Sequence, residues 1–238
     1  MKLLGLALLV RVVSDISGGL LLVHSGDYFP WRHLPGVPLY SATWLQLEWT
    51  LSVACALMLL SGRWTALALR MGMVLALVSL SQRFANHRVL LFLLFLFLSL
   101  DPPTLKSYWP TGPARVSPAL GLVRAQLVIV YWFSAANKCA HGFLDGQSLV
   151  HLLGTSRDVA LCLAIAAVAV ELALPLLLWL CPRLGIVIAL GLHTSFAVAL
   201  PGLWTFSVLM MSMAVLFYPP RTHSVGAKSI DSDDLEPD

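Results

Sequence analysis

DVALCLAIAAVAVELALPLLLWLCPRLGIVIALGLHTSFAVAL, residues 158–200, holds two long apolar runs separated by Cys181-Pro182-Arg183. A membrane-spanning helix needs about 20 predominantly apolar residues, and both runs come close to that length. A break this short between them predicts an antiparallel helical hairpin. The same pattern recurs upstream, where runs at 43–61 and 64–82 are separated by Ser61-Gly62-Arg63. Working outward from these hairpins yields candidate spans at 3–23, 43–61, 64–82, 84–100, 118–139, 158–181, 184–200 and 203–218.

Composition agrees with this pattern. Hydrophobic residues make up 58% of the 238-residue chain and charged residues 11%, with a mean hydropathy of +0.83. That leaves too little polar surface to cover a soluble domain of this size. The predicted fold is all-α: a polytopic integral membrane helical bundle of about eight spans over residues 1–218. An acidic, disordered tail is expected at 219–238, where Asp231, Asp233, Asp234, Glu236 and Asp238 have few apolar neighbours. Membrane lipid is therefore an expected partner. The net charge of +3 comes from scattered Lys and Arg rather than a basic block, which argues against nucleic acid. Arg11 and Asp15 interrupt the first apolar run and no small-residue cleavage site follows, so it reads as a retained helix, not a signal peptide.

The connections 24–42 and 101–117 are proline-rich and cannot be continuous helices. Trp44, Trp64, Trp109, Trp179 and Trp204 fall near predicted helix ends, as interfacial aromatics do. Cys55, Cys139, Cys162 and Cys181 are widely spaced, which disfavours zinc and thiol-redox sites; no metal site is expected.

Charges inside the apolar runs carry the functional information, because an ionisable group in hydrocarbon is costly and must be paired, hydrated or used. Arg11 and Asp15 lie four residues apart on one helix face and are expected to pair. Glu48, Arg70, Arg124 and Glu171 should face the protein interior, with Arg70 or Arg124 the expected partner of Glu171. Membership of a polar cavity is the other reading of Glu171. Helical periodicity places Arg124, Tyr131, Ala135 and Lys138 close to one face of the fifth span, with Ser134 one turn before Lys138. An amine at Lys138 either snorkels to the interface, pairs with an acid, or loses its proton and becomes a base.

The apolar run 89–100 is too short to cross a bilayer, and extending it backwards draws Asn86 and His87 toward the membrane. Alternating topology puts that end beside the Lys138 end of the fifth span, so an amide, an imidazole and an amine are expected to converge. His193 lies mid-span, either as a helix-packing hydrogen bonder or as a functional group.

Three stretches carry a family likeness: LVRAQLVIVYWFSAANKCAHGFLDGQSL at 122–149, FANHRVLLFLLFLFLSLDPP at 84–103, and the hairpin region 170–217. In order and spacing they resemble the horizontally transferred transmembrane domain family, which includes the vitamin K-dependent gamma-glutamyl carboxylases. What the resemblance implies is chemistry on a reduced quinone of the vitamin K type, with Lys138 as catalytic base and oxygen and carbon dioxide as co-reactants. Asn86 and His87 match the family's Asn-His pair and would join the catalytic group. His193 matches a histidine of the late hairpin, and with Tyr131 and Arg124 it would line the quinol site. Ala135, Cys139 and Phe143 depart from the family pattern, and the large domain that follows the carboxylases' membrane helices has no counterpart after residue 218. A membrane oxidoreductase or carboxylase-like enzyme, with quinol-dependent carboxylase/epoxidase-type chemistry, is thus one expectation. The other is a non-catalytic membrane protein, such as a small-molecule binder, assembly partner or transporter, in which the buried charges are structural.

Overall fold

The computed structural model describes residues 1–18, 41–82, 86–100, 117–200 and 203–218. Among the described residues there are nine α-helices and no strands. They are α1 (Lys2–Ser17), α2 (Ala42–Ser61), α3 (Thr65–Gln82), α4 (Asn86–Leu100), α5 (Pro118–Ala140), α6 (Gln147–Leu153), α7 (Arg157–Leu180), α8 (Pro182–Ala199) and α9 (Trp204–Val215). A single 3₁₀ turn, Phe143–Asp145, precedes α6. Five helices, α2, α3, α5, α7 and α8, are long and apolar enough to cross a membrane. The other three predicted spans are shorter, at 16 residues for α1, 15 for α4 and 12 for α9. The predicted acidic tail at 219–238, the connections 24–42 and 101–117 and Trp109 lie largely or wholly outside the described residues.

Both predicted hairpins are present. Helix α2 ends at Ser61 and Gly62 takes the left-handed conformation, with φ of 69°, before α3 begins at Thr65. Helix α7 ends at Leu180 and α8 starts at Pro182, where proline's fixed φ and missing N–H suit the first helical turn. Ser117 likewise caps α5 by accepting the Leu120 N–H, with Pro118 just inside the helix. Sequential helices pack as neighbours from α1 to α5, then α5 on α7, α7 on α8 and α8 on α9. Helix α9 closes the bundle by returning against α1, α4 and α5.

The packing is inside-out relative to a soluble protein. Large apolar side chains cover the outside, including Phe133, Leu180 and Val198, which is 78% exposed. Trp44, Trp64, Trp179 and Trp204 are exposed at helix ends, as predicted for interfacial aromatics. Arg11, Asp15, Glu48, Arg88 and Glu171, by contrast, are buried. Arg11, 1% exposed, donates from Nε to Asp15 at 3.0 Å and grips Glu48 with both terminal nitrogens at 2.7 and 2.9 Å. Ser52 and Ser79 accept further bonds from the same guanidinium. The expected Arg11–Asp15 pair therefore exists, within a larger group that also draws in Arg88, whose Nη2 reaches Asp15 at 2.6 Å and whose Nη1 reaches Ser79. Two guanidiniums face two carboxylates, so the buried group is neutral.

Two expectations need correction. Arg70 is exposed, not inward-facing. It lies only five residues into α3, close enough to the helix end for its long stem to carry the guanidinium outward. Glu171 does not meet an arginine; its partner is Lys138.

A buried acid, amine, phenol and imidazole

Helix α5 presents Tyr131 and Ala135 inward, with Lys138 one turn further on and partly covered, as the shared helical face requires. Side chains on a helix lean toward its amino terminus, so the Lys138 stem runs back along α5 and its Nζ donates to Ser134 Oγ at 3.2 Å. The same lean on antiparallel α7 brings Glu171 toward it, and Lys138 Nζ and Glu171 Oε1 form an ion pair. The Lys138 side chain is 19% exposed and that of Glu171 4%. Arg124 cannot substitute for Lys138, because fourteen residues of helix separate them by about 21 Å.

About two turns deeper along α5, Tyr131 Oη lies 2.9 Å from His193 Nε2, both groups being 1% exposed. The His193 ring is boxed by Tyr131, Phe196 and Phe206, with centroids 5.8 to 5.9 Å away. Phe196 joins the two pairs, its ring centroid lying 5.5 Å from Lys138 Nζ and 5.9 Å from the His193 ring. Two buried atoms of this group have no partner: Glu171 Oε2 and His193 Nδ1. A buried polar atom without a hydrogen bond costs about 1–3 kcal/mol, which makes such atoms natural contacts for a ligand.

A roof covers the amine. Phe143, in the 3₁₀ turn after α5, and Phe196, from α8, each place a ring centroid 5.5 Å from Lys138 Nζ. The turn is held close to α7 by Gly146, whose φ is +74° and whose hypothetical Cβ would lie 2.9 Å from Leu161 N. Only glycine combines that backbone conformation with so close an approach. On α7 itself, Pro175 has no N–H to offer the Glu171 carbonyl, so the turn that carries the acid lacks one rung of its helical ladder.

Of the residues predicted for a site, the structure gathers Lys138, Tyr131 and His193. Asn86 and His87 are not among the partners of Lys138. Asn86 is exposed and His87 half-buried, and the residue of that segment that turns fully inward is Arg88, toward Asp15. Arg124 sits at the far end of α5. Its Nε and Nη2 donate to the Leu216 carbonyl at 3.2 and 2.9 Å, and its guanidinium stacks 5.3 Å from the centre of Phe217, finishing the end of α9. Sequence reasoning missed the Lys138–Glu171 pairing and the aromatic roof. The pairing had a signal, an acid and an amine on consecutive predicted spans, although the sequence reading pairs the acid with Arg70 or Arg124; the roof depends on a loop conformation and had none. Among the described residues no three His, Cys, Asp or Glu side chains converge to hold a metal ion.

Comparison with protein-family models, with curated proteins and with solved structures finds no match to this chain.

Proposed function

We propose that the chain is a multi-pass integral membrane protein of eight spans whose Lys138 group performs acid–base chemistry on a reduced quinone inside the bilayer. The observation that carries this reading is the convergence of Lys138, Glu171, Tyr131 and His193 beneath aromatic rings, with Glu171 Oε2 and His193 Nδ1 unpartnered. Intramembrane ionisable groups are expensive and default to function. The apolar outer surface supports the membrane setting, since a soluble protein rarely exposes so continuous an apolar face. Helices α1, α4 and α9 count as the three spans beyond the five long ones.

When bound, a reduced quinone supplies an acidic hydroxyl and two transferable electrons. The residues present suit it: Phe143, Phe196 and Phe206 offer ring faces, and Glu171 Oε2 and His193 Nδ1 offer hydrogen-bonding positions to ring oxygens. Tyr131 and His193, already hydrogen-bonded, can hand a proton along the pair. Burial keeps water from the reacting atoms. The resemblance to the horizontally transferred transmembrane domain family points to the same substrate class. Asn86 and His87 stand outside the Lys138 group and have no part in this reading.

The test is turnover by the purified full chain in lipid nanodiscs supplied with a naphthoquinol and oxygen, with and without bicarbonate and a glutamate peptide. Oxygen consumption and epoxide formation by mass spectrometry are expected from the parent. Lys138→Ala is expected to lose at least about 100-fold, the usual scale of a positioned acid–base group, while Arg124→Ala keeps turnover. Absence of turnover with every quinol ring system tried, or full activity in Lys138→Ala, overturns this reading. In that case the group joins the Arg11 network as a structural device of a non-catalytic membrane protein.

A further inference from the structure

We infer that Glu171 is the proton acceptor of this site and that Lys138 is its fixed cation, an inference that rests on the acid–base reading above. Every contact of Lys138 Nζ suits an ammonium. It has a carboxylate, a hydroxyl acceptor and the faces of two phenylalanine rings. The rings attract a cation through their quadrupoles and offer a neutral amine far less. A general base needs a free lone pair, and nothing around this nitrogen favours one. Glu171 is built the opposite way. One carboxylate oxygen is held by Lys138, whereas Oε2 is buried, 3% exposed as a residue, and has no donor. A buried carboxylate oxygen without a donor lacks the hydrogen bond that a bound hydroxyl would supply, and it lies on the one acid of this group.

The step balances in atoms and charge. The O–H bond of a bound acidic hydroxyl breaks, its electron pair stays on that oxygen, and the proton forms an O–H bond to Glu171 Oε2. The acid–amine pair passes from neutral to a net single positive charge while the substrate gains a single negative one. Lys138 retains all its protons and faces the new anion, so no uncompensated charge is created in the bilayer. Roles of this kind differ from those that the resemblance implies, in which the lysine takes the proton.

The decisive measurement uses a naphthol, which carries the acidic hydroxyl but does not turn over as a quinol. Difference infrared spectroscopy of the full chain in nanodiscs is expected to show a protonated-carboxyl band on naphthol binding. The band should persist in Lys138→Arg, whose guanidinium stays charged and cannot serve as a base. It should shift in Glu171→Asp and vanish in Glu171→Gln. In quinol turnover, Glu171→Gln should lose at least about 100-fold and Lys138→Arg should keep measurable activity. A band unchanged in Glu171→Gln, no band with naphthol bound, or no naphthol binding at all overturns the inference. So does a Lys138→Arg variant as inactive as Lys138→Ala beside an active Glu171→Gln. If Glu171→Gln fails to fold, the parent and Glu171→Asp spectra decide the matter. A Glu171 band on naphthol binding together with no quinol turnover would retire the quinol reading and leave the proton assignment standing.

Discussion

Replacing Glu48 by Gln removes one negative charge from a buried group that is otherwise neutral, and changes little in volume. Before the change, Arg11 and Arg88 face Asp15 and Glu48. Afterwards one guanidinium charge is uncompensated at a site where Arg11 is 1% exposed. The substitution also weakens the two charge-assisted bonds that Glu48 receives at 2.7 and 2.9 Å. Breaking a buried pair from one side costs about 3–5 kcal/mol. Two bonds to charged groups at about 1.5–3 kcal/mol each give the same scale by a separate route. At about 2–4 °C per kcal/mol for a chain of this size, the expected fall in melting temperature is about 6–20 °C. Thermal unfolding in detergent, followed by tryptophan fluorescence, reads it directly. A second variant separates charge from packing: Arg11→Met with Glu48→Leu removes both members, leaves Asp15 with Arg88, and should recover most of the loss. If Glu48→Gln melts within about 1 °C of the parent, the guanidinium is hydrated, and the Arg11 bonds to Glu48, Ser52 and Ser79 described above are wrong.

Tyr131→Phe leaves both His193 nitrogens without a partner and should destabilise by about 1–3 kcal/mol, with His193→Leu in the Phe background restoring part of it; no loss in the single variant refutes the bond. Gly146→Ala forces a Cβ against the α7 backbone and should cost about 1–3 kcal/mol; an unchanged melting temperature would contradict the close approach. Arg124→Ala should cost about 1.5–3 kcal/mol through the lost bonds to the Leu216 carbonyl, measured by the same melting assay, and an unchanged melting temperature would show that α9 does not depend on this cap.

The helical architecture was legible from sequence because it follows from local facts. Apolar runs of span length, Gly62 and Pro182 at the two tight turns, and Ser117-Pro118 ahead of α5 each act within a few residues. The common face of Tyr131, Ala135 and Lys138 follows from helical periodicity alone, as does the Arg11–Asp15 pair. The length of α9 was less legible, because the apolar run continues through Leu216 and Phe217 past its last residue, Val215.

Which charge meets which was decided only in three dimensions. Arg11, Asp15, Glu48 and Arg88 lie on three helices, and nothing in their spacing distinguishes Arg88 from Arg70 as the inward cation. The difference arises from rotation about the helix axis. Arg88 starts α4 on the face toward α1, whereas Arg70 lies on the outer face of α3, near its end. Sequence reading pairs Glu171 with Arg70 or Arg124, and the opposed lean of side chains on antiparallel α5 and α7 selected Lys138 instead. The sequence by itself determined that ionisable groups fall within apolar helical runs, where each must be paired, hydrated or carried out toward a helix end. The tertiary structure decided their partners, because an ion pair depends on distances of a few ångströms between helices whose relative rotation and depth no single helix encodes.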